Sequence, residues 1–383
     1  MRNFVKYCLG FLTIYIFKFV NLFFDIKFAH LYTTRIGHQI INFDVCLHRI
    51  SKKTFVLFSY DEKIANEYLF KSFKKTKNIF FSKFFRYFHA SISKVRPDSN
   101  LIISWKDYQP NFTKYLILSS KVNLPKTDEL ELENFFEKYN FKNFIGLHAR
   151  SNLYLNKLKI HDNNNHDYRD FEFYDFDKSI EFFKKKNYQI IKLGQTFPEE
   201  KYNFKEKKIL TSIDFKENQE IDFWLNKYSK YNICGNSGLA ALSSVLRKSI
   251  IYINFIPFNL DILSYCSPGS IILPKKIFSH DKNRFLNFYE MNEINFPIHN
   301  KNDPYKENNL KVINNSPDEI LNAVIEMEDK CRNEVDFYKK NKKIQKNFWN
   351  TFGKKDLDKV EFLEKFLKIL ISNNFLENNQ ELL

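Results

Sequence analysis

Three short stretches hold residues whose types and spacing could do chemistry. The first is ICGNSGLAALSSVL (233–246), where Gly235 and Gly238 stand close together in a chain with only 8 glycines in 383 residues. In so glycine-poor a chain, a Gly marks a place where a Cβ does not fit. The stretch reads as a strand end, a tight turn and a helix, with Asn236 or Ser237 able to cap the helix. Small residues at Ala240, Ala241, Ser243 and Ser244 let that helix lie close to a sheet. A helix opened this way presents bare N–H groups and the positive end of its dipole, a seat for phosphate. On its own the motif reads as an ordinary strand-to-helix turn, since it is neither a P-loop nor a GxGxxG.

The second stretch is Leu147-His148-Ala149-Arg150, at the end of an apolar run. An arginine there carries a permanently charged fork that can hold two phosphate oxygens at once. The third is the polar loop HDNNNHDYRD (161–170), dense in titratable groups, with His161, His166, Asp167, Tyr168, Arg169 and Asp170. Its length and polarity suit a lid over a ligand, and an Asn-rich solvated loop is the plainer alternative. Two further groups are weaker. Arg35-Ile36-Gly37-His38 puts a close-approach glycine beside a histidine able to act as acid or base near neutral pH. Asp175-Phe176-Asp177 has the form of a metal-binding Asp-x-Asp but opens a predicted helix, where capping is the better reading. No metal ligand set is expected, and phosphate binding is the best supported chemistry.

The elements that position these residues alternate between strand and helix. FAHLY (28–32), KTFVLFSY (53–60) and NIFF (78–81) read as strands, with helices in 40–50 and 66–75 and a third unit closing near Val95. The second half repeats the rhythm with NFIGLHAR (143–150), YQIIKLG (188–194), KKILTSI (207–213), YNICG (231–235) and SIIYINFIPF (249–258). PGSIILPKKIF (268–278) reads as a loop. A capped helix follows Ser316-Pro317-Asp318-Glu319. Alternating strands and helices predict an α/β chain with parallel sheets. Gly37, Gly146 and Gly194 fall within or just past strand-like runs, and a doubly wound sheet binds ligands beyond its strand ends. The expected division is an apolar helix over 1–25, a Rossmann-like domain over 26–130, a second over 131–330 and a helical tail over 331–383, the two domains facing across a cleft.

Composition narrows the partners. The chain carries 60 Lys and Arg against 45 Asp and Glu, a net charge of +15. That favours anionic partners, although a Lys-, Asn-, Ile- and Phe-biased genome gives the same balance. No basic arm, helix-turn-helix or zinc-finger spacing is present, so nucleic acid is not an expected partner. Five scattered cysteines without a C-x-x-C fit a reducing compartment, hence a cytoplasmic protein. The apolar run 7–24 is interrupted by Lys18 and Asn21 and is a poor membrane span. It reads equally as a helix covering the first domain or as one lying in a membrane interface through residues 4–24.

Taken together and in order, RIGH with Asn42, LHAR, His166-x-Tyr168-Arg169, IIKLG, GNSG, YIN (252–254) and SPDEILNAVIEM (316–327) resemble a bacterial family of surface-carbohydrate glycosyltransferases on the GT-B plan. The match spans about 32–327. The His-x-Arg of LHAR is similar to that of GT-B fucosyltransferases, where the arginine binds the donor diphosphate, which here implies Arg150. An Asp often follows that arginine, but Ser151 stands here, making Asp167 or Asp170 the substitute acidic candidate. The resemblance implies a nucleotide-sugar co-substrate without further cofactor or metal, and a glycan or lipid-linked acceptor. Its donor side comprises His148, Arg150, His166, Tyr168, Arg169, Gly194, Gly235, Asn236, Ser237 and Gly238. Its acceptor side comprises Arg35 and Gly37, with His38 either deprotonating an acceptor hydroxyl or only orienting it. A degenerate nucleotide-sugar-binding module, or a basic protein docking on membrane or nucleic acid, are the alternatives.

Overall fold

The computed structural model describes residues 2–96, 99–103, 115–122, 127–151, 153, 167–197, 199–215, 219–294 and 303–383. The chain forms two compact units, Met1–Phe135 and Phe136–Leu383. Each is an α/β unit built on a parallel sheet, as the alternation of elements predicts.

In the first unit β1 (Asp25–Leu31), β2 (Thr54–Tyr60), β3 (Ile79–Phe81) and β4 (Ile102–Ile103) form a sheet in the order β3-β2-β1-β4. All the pairings are parallel. The chain steps outward from β1 to β3 and then returns to β4 on the other side of β1. Right-handed crossovers therefore place the helices Ile36–Arg49 and Glu67–Lys74 on one face and Phe85–Val95 on the other. On the first face Phe43 stacks on Phe73 with ring centroids 3.8 Å apart.

The second face holds the N-terminal helix, Arg2–Val20, packed on Phe85–Val95. It belongs to this unit instead of standing apart. A Cβ on Gly10 would lie 2.5 Å from the Ser91 carbonyl oxygen, so glycine sets how closely the two helices approach. Ile14, Phe28, Ile92, Leu101 and Ile102 bury together beneath this contact. Each such side chain contributes about 1.5–3 kcal/mol by leaving water.

The second unit is built on β5 (Phe144–His148), β6 (Gln189–Lys192), β7 (Asn232–Cys234), β8 (Ile250–Phe255) and β9 (Ile271–Pro274). A small antiparallel sheet of β10 (Lys276–Ser279), β11 (Arg284–Phe285) and β12 (Leu310–Ile313) follows. Last comes β13 (Leu370–Ile371), on the edge of the main sheet beside β9. The main sheet runs β13-β9-β8-β7-β5-β6, all parallel. Every residue of β8 is buried, as its unbroken apolar run requires. The helices Asp177–Lys185 and Pro317–Arg332 pack together on one face, and Gln219–Tyr228 and Gly238–Val245 on the other.

Three expectations need correction here. The run 268–278, read as a loop, supplies β9 and β10. Ile271, Ile272 and Leu273 are fully buried, and the prolines at 268 and 274 bracket the first strand without preventing it. The run 207–213, read as a strand, makes a single bridge between Ile191 and Leu210 and then turns into a 3-10 helix, Ser212–Phe215. The segment 331–383 is more than a helical tail. It contributes β13 to the sheet, and Leu376 and Leu382 are buried.

Candidate active site on the second unit

Strand order places the site. From β5 the chain moves to β6 on one side and then crosses back to β7 on the other, so the sheet's switch point lies between β5 and β7. Ligands of open α/β sheets bind beyond the carboxyl ends of the strands at such a point. The register pairs His148 with Cys234. Arg150 and Gly235 therefore leave the sheet from neighbouring strands at the same edge, with the Gly238–Val245 helix starting beside them. The helix has Ser237 as its cap, its Oγ accepting the Ala240 N–H at 3.3 Å.

The segment after the polar loop returns to this edge. The Phe171 N–H donates to the Arg150 carbonyl at 3.3 Å, and the Phe171 ring lies where a Cβ on Gly235 would have to go, 2.7 Å away. Asp167, Tyr168 and Arg169 form a 3-10 turn immediately before it. Arg150, 9% exposed, donates from Nη1 to Asp170 Oδ1 in a close ion pair. Arg169 sits over the Tyr168 ring, 5.7 Å from its centroid, and its Nε is buried without a hydrogen-bond partner among the described residues. His166 and His161 lie outside the described residues.

His148 and Gly194 shape the floor. The His148 side chain is half-buried and its Nδ1 lies 3.3 Å from the Leu193 carbonyl, which can only accept, so this nitrogen carries the proton. Burial, with the positive charges of Lys192 and Arg150, drives its pKa down to about 3. Its ring is therefore neutral near pH 7. Gly194 has φ +82°, a conformation that favours glycine, and its N–H donates to Asp222 Oδ1 at 3.1 Å. Burial raises Asp222 to about 6, against the opposing pull of that N–H and of Lys192.

Two cations join this edge that the sequence did not single out. Lys275, at the end of β9 and 2% exposed, donates to the carbonyls of Tyr168 at 2.8 Å and Asp170 at 3.1 Å. Burial brings its pKa down to about 8, with Arg150 lowering it further and Asp175 and Asp303 opposing. Lys192, ending β6, donates to the Gln195 carbonyl at 2.8 Å and pairs with Glu200 at 3.2 Å. The run IIKLG carried a signal for Lys192, a charge inside an apolar strand. Lys275 had none, because one lysine after a proline looks like any surface residue. Arg150, Lys192 and Lys275 thus hold three buried cations at the ends of three strands.

The Asp175-Phe176-Asp177 group does not cap its helix with a side chain. The N-cap residue is Phe176, and Asp177 accepts instead from the Tyr202 hydroxyl at 2.5 Å. Burial and the nearby Glu172 raise Asp175 to about 6. Among the described residues no group of three His, Cys, Asp or Glu is arranged to hold a metal.

On the first unit the helix Ile36–Arg49 begins one residue earlier than the glycine, so Gly37 and His38 occupy its first turn and Arg35 its N-cap position. Burial, then the Arg35 charge, lowers the His38 pKa, while Asp61 opposes them. The structure adds a cluster that the sequence hid. At the carboxyl ends of β1 and β2, His30 Nδ1 meets Ser59 Oγ at 2.9 Å and His30 Nε2 meets Asp61 Oδ1 at 3.2 Å. The Thr33 N–H donates to Asp61 Oδ2 at 2.9 Å. Burial pushes the Asp61 pKa up, but His30 and the Thr33 and Thr34 N–H groups outweigh it and hold the carboxylate below its usual range.

No protein-family model matches the chain, and no curated protein matches it in sequence. Among solved structures it is similar to ADP-heptose LPS heptosyltransferase II of E. coli, at 9% identity and a TM-score of 0.48. That alignment covers 78% of this chain and 97% of the other. It is also similar to a glycosyl transferase of family 9 from Veillonella parvula, at 11% identity and a TM-score of 0.42, covering 65% of this chain and 87% of that one. With TM-scores below one half, neither likeness fixes the chemistry, which rests on the residues themselves.

Proposed function

We propose that the chain is a glycosyltransferase moving a sugar from a nucleoside-diphosphate sugar to a surface glycan or a lipid-linked acceptor. The observation that carries this reading is Arg150, buried at the switch point of the second unit beside the Gly235–Gly238 turn. A charged fork and bare main-chain amides at one strand edge suit a diphosphate. Arg150 and Lys275, both buried at this edge, place positive charge there, which favours an anion. Arg150, Arg169 and the Asn236-Ser237-Gly238 turn hold the diphosphate, and Lys275 fixes the 167–170 turn while adding charge. As the bond between sugar and phosphate breaks, negative charge grows on the leaving oxygen. Fixed donors stabilise that charge without reorganising, and no metal is required. Asp170, already paired with Arg150, aims the guanidinium and is not the base. His38, neutral near pH 7 and in the first unit, takes the acceptor hydroxyl proton; Asp167 is the alternative. The deciding experiment is calorimetric titration of ADP-, GDP-, UDP-, CMP- and dTDP-sugars. Wild type should bind one class, and Arg150→Ala should weaken it at least about tenfold, the loss of a charge-assisted contact. Equal affinity in the variant would remove the reading.

A further inference from the structure

The N-terminal helix has two apolar faces, and the structure uses only one. Gly10, Thr13, Ile14 and Phe17 turn inward at helical spacing onto Phe85–Val95. The opposite stripe carries Phe11, Leu12, Tyr15, Ile16 and Phe19 into solvent and continues through Leu22 and Phe23, which are 74% and 70% exposed. Soluble surfaces rarely leave so continuous an apolar stripe uncovered.

The stripe continues onto the sheet. Phe24 contacts Phe55 edge-on, and Phe55 stacks on Phe80, both at 6.4 Å between centroids. Phe84 and Tyr87, with ring centroids 6.0 Å apart, are further exposed rings at the start of the next helix. Lys18, Lys52, Lys53, Lys77, Lys83 and Arg86 are exposed along the same stretches. Seventeen of the 60 basic residues but only six of the 45 acidic ones fall in positions 1–100, and Asp25 is the sole acidic residue before position 44.

We infer that this face docks on the surface of an anionic lipid bilayer, with the rings in the interface and the lysines at headgroup level. Aromatic and aliphatic groups ringed by cations match both layers of such a surface. Lying flat is the geometry left to the helix, since among the described residues none is long and apolar enough to cross a membrane. A second copy of the chain would bring like charges together around the same rings, which argues against self-association. The inference is independent of sugar transfer, since docking would persist in a protein with no activity.

The test is flotation of the full chain with phosphatidylcholine vesicles carrying about one quarter phosphatidylglycerol, against phosphatidylcholine alone. The protein should float with the anionic vesicles and stay behind with the neutral ones. F19S/F23S and K18E/K53E should each lower the bound fraction about tenfold or more, with an unchanged melting temperature and unchanged nucleotide-sugar affinity. No flotation, equal flotation of F19S/F23S, or a wild-type dimer that F19S/F23S converts to monomer would overturn it.

Discussion

At the scale of single residues, the Arg150–Asp170 pair sets up a separable prediction. Removing the guanidinium leaves a half-buried carboxylate without its partner, which costs stability at the low end of about 3–5 kcal/mol. Loss of binding in Arg150→Ala alone would therefore mix two causes. Arg150→Ala with Asp170→Asn should recover most of the melting temperature, because no unpaired charge remains, yet should still bind the donor about tenfold more weakly. Recovery of both would make Arg150 structural. Lys275 gives a second prediction through its pKa of about 8, below the ordinary 10.5. Between those values the unfolded chain holds a proton that the folded one has released, so this group's contribution to stability rises with pH across the window. Its pull on an anion falls over the same range. Donor affinity should drop about threefold to tenfold between pH 7 and pH 9.5, and Lys275→Arg should flatten the profile, since an arginine stays charged. Calorimetry at the two pH values decides it, and an unchanged wild-type affinity would separate Lys275 from the donor.

At the scale of elements, what the sequence disclosed depended on how local the cause was. Gly194 and Gly235 were legible at strand ends because steric demand on a backbone leaves a one-residue trace. The LHAR and GNSG stretches were legible for the same reason, each being a strand end read in order. The His30–Asp61 contact was not, because its partners are 31 residues apart and meet only once β1 and β2 adopt their register. β9 escaped because proline signals outweighed a three-residue apolar run, whereas the neighbouring sheet decides the matter by burying it. The packing of Phe171 on Gly235 was equally invisible and is testable. Gly235→Ala forces a Cβ to within 2.7 Å of that ring and should cost about 1–3 kcal/mol. Phe171→Leu in the same chain frees the space, so the two substitutions should be less destabilising together than their sum. Strict additivity in urea denaturation would mean that the turn does not rest on Phe171.

At the scale of the whole molecule, the two units carry different chemistry at matching places. Each sheet reverses direction beside its first strand, and each gathers polar groups at the carboxyl edge: cations on the second unit, histidines and a carboxylate on the first. A diphosphate prefers the former and a neutral hydroxyl the latter, so the donor's footprint should be confined to one unit. Hydrogen exchange with and without a saturating nucleoside diphosphate would show it. At one hundred times its dissociation constant, the ligand should slow the amides it orders by an amount worth up to about 2.7 kcal/mol. Slowing is expected at the helix start 235–240, at 148–150 and across 167–170, while the amides of 30–38 and 59–61 stay as they were. Protection centred on 30–38 instead would move the donor to the first unit and leave Arg150 as the partner of Asp170 alone.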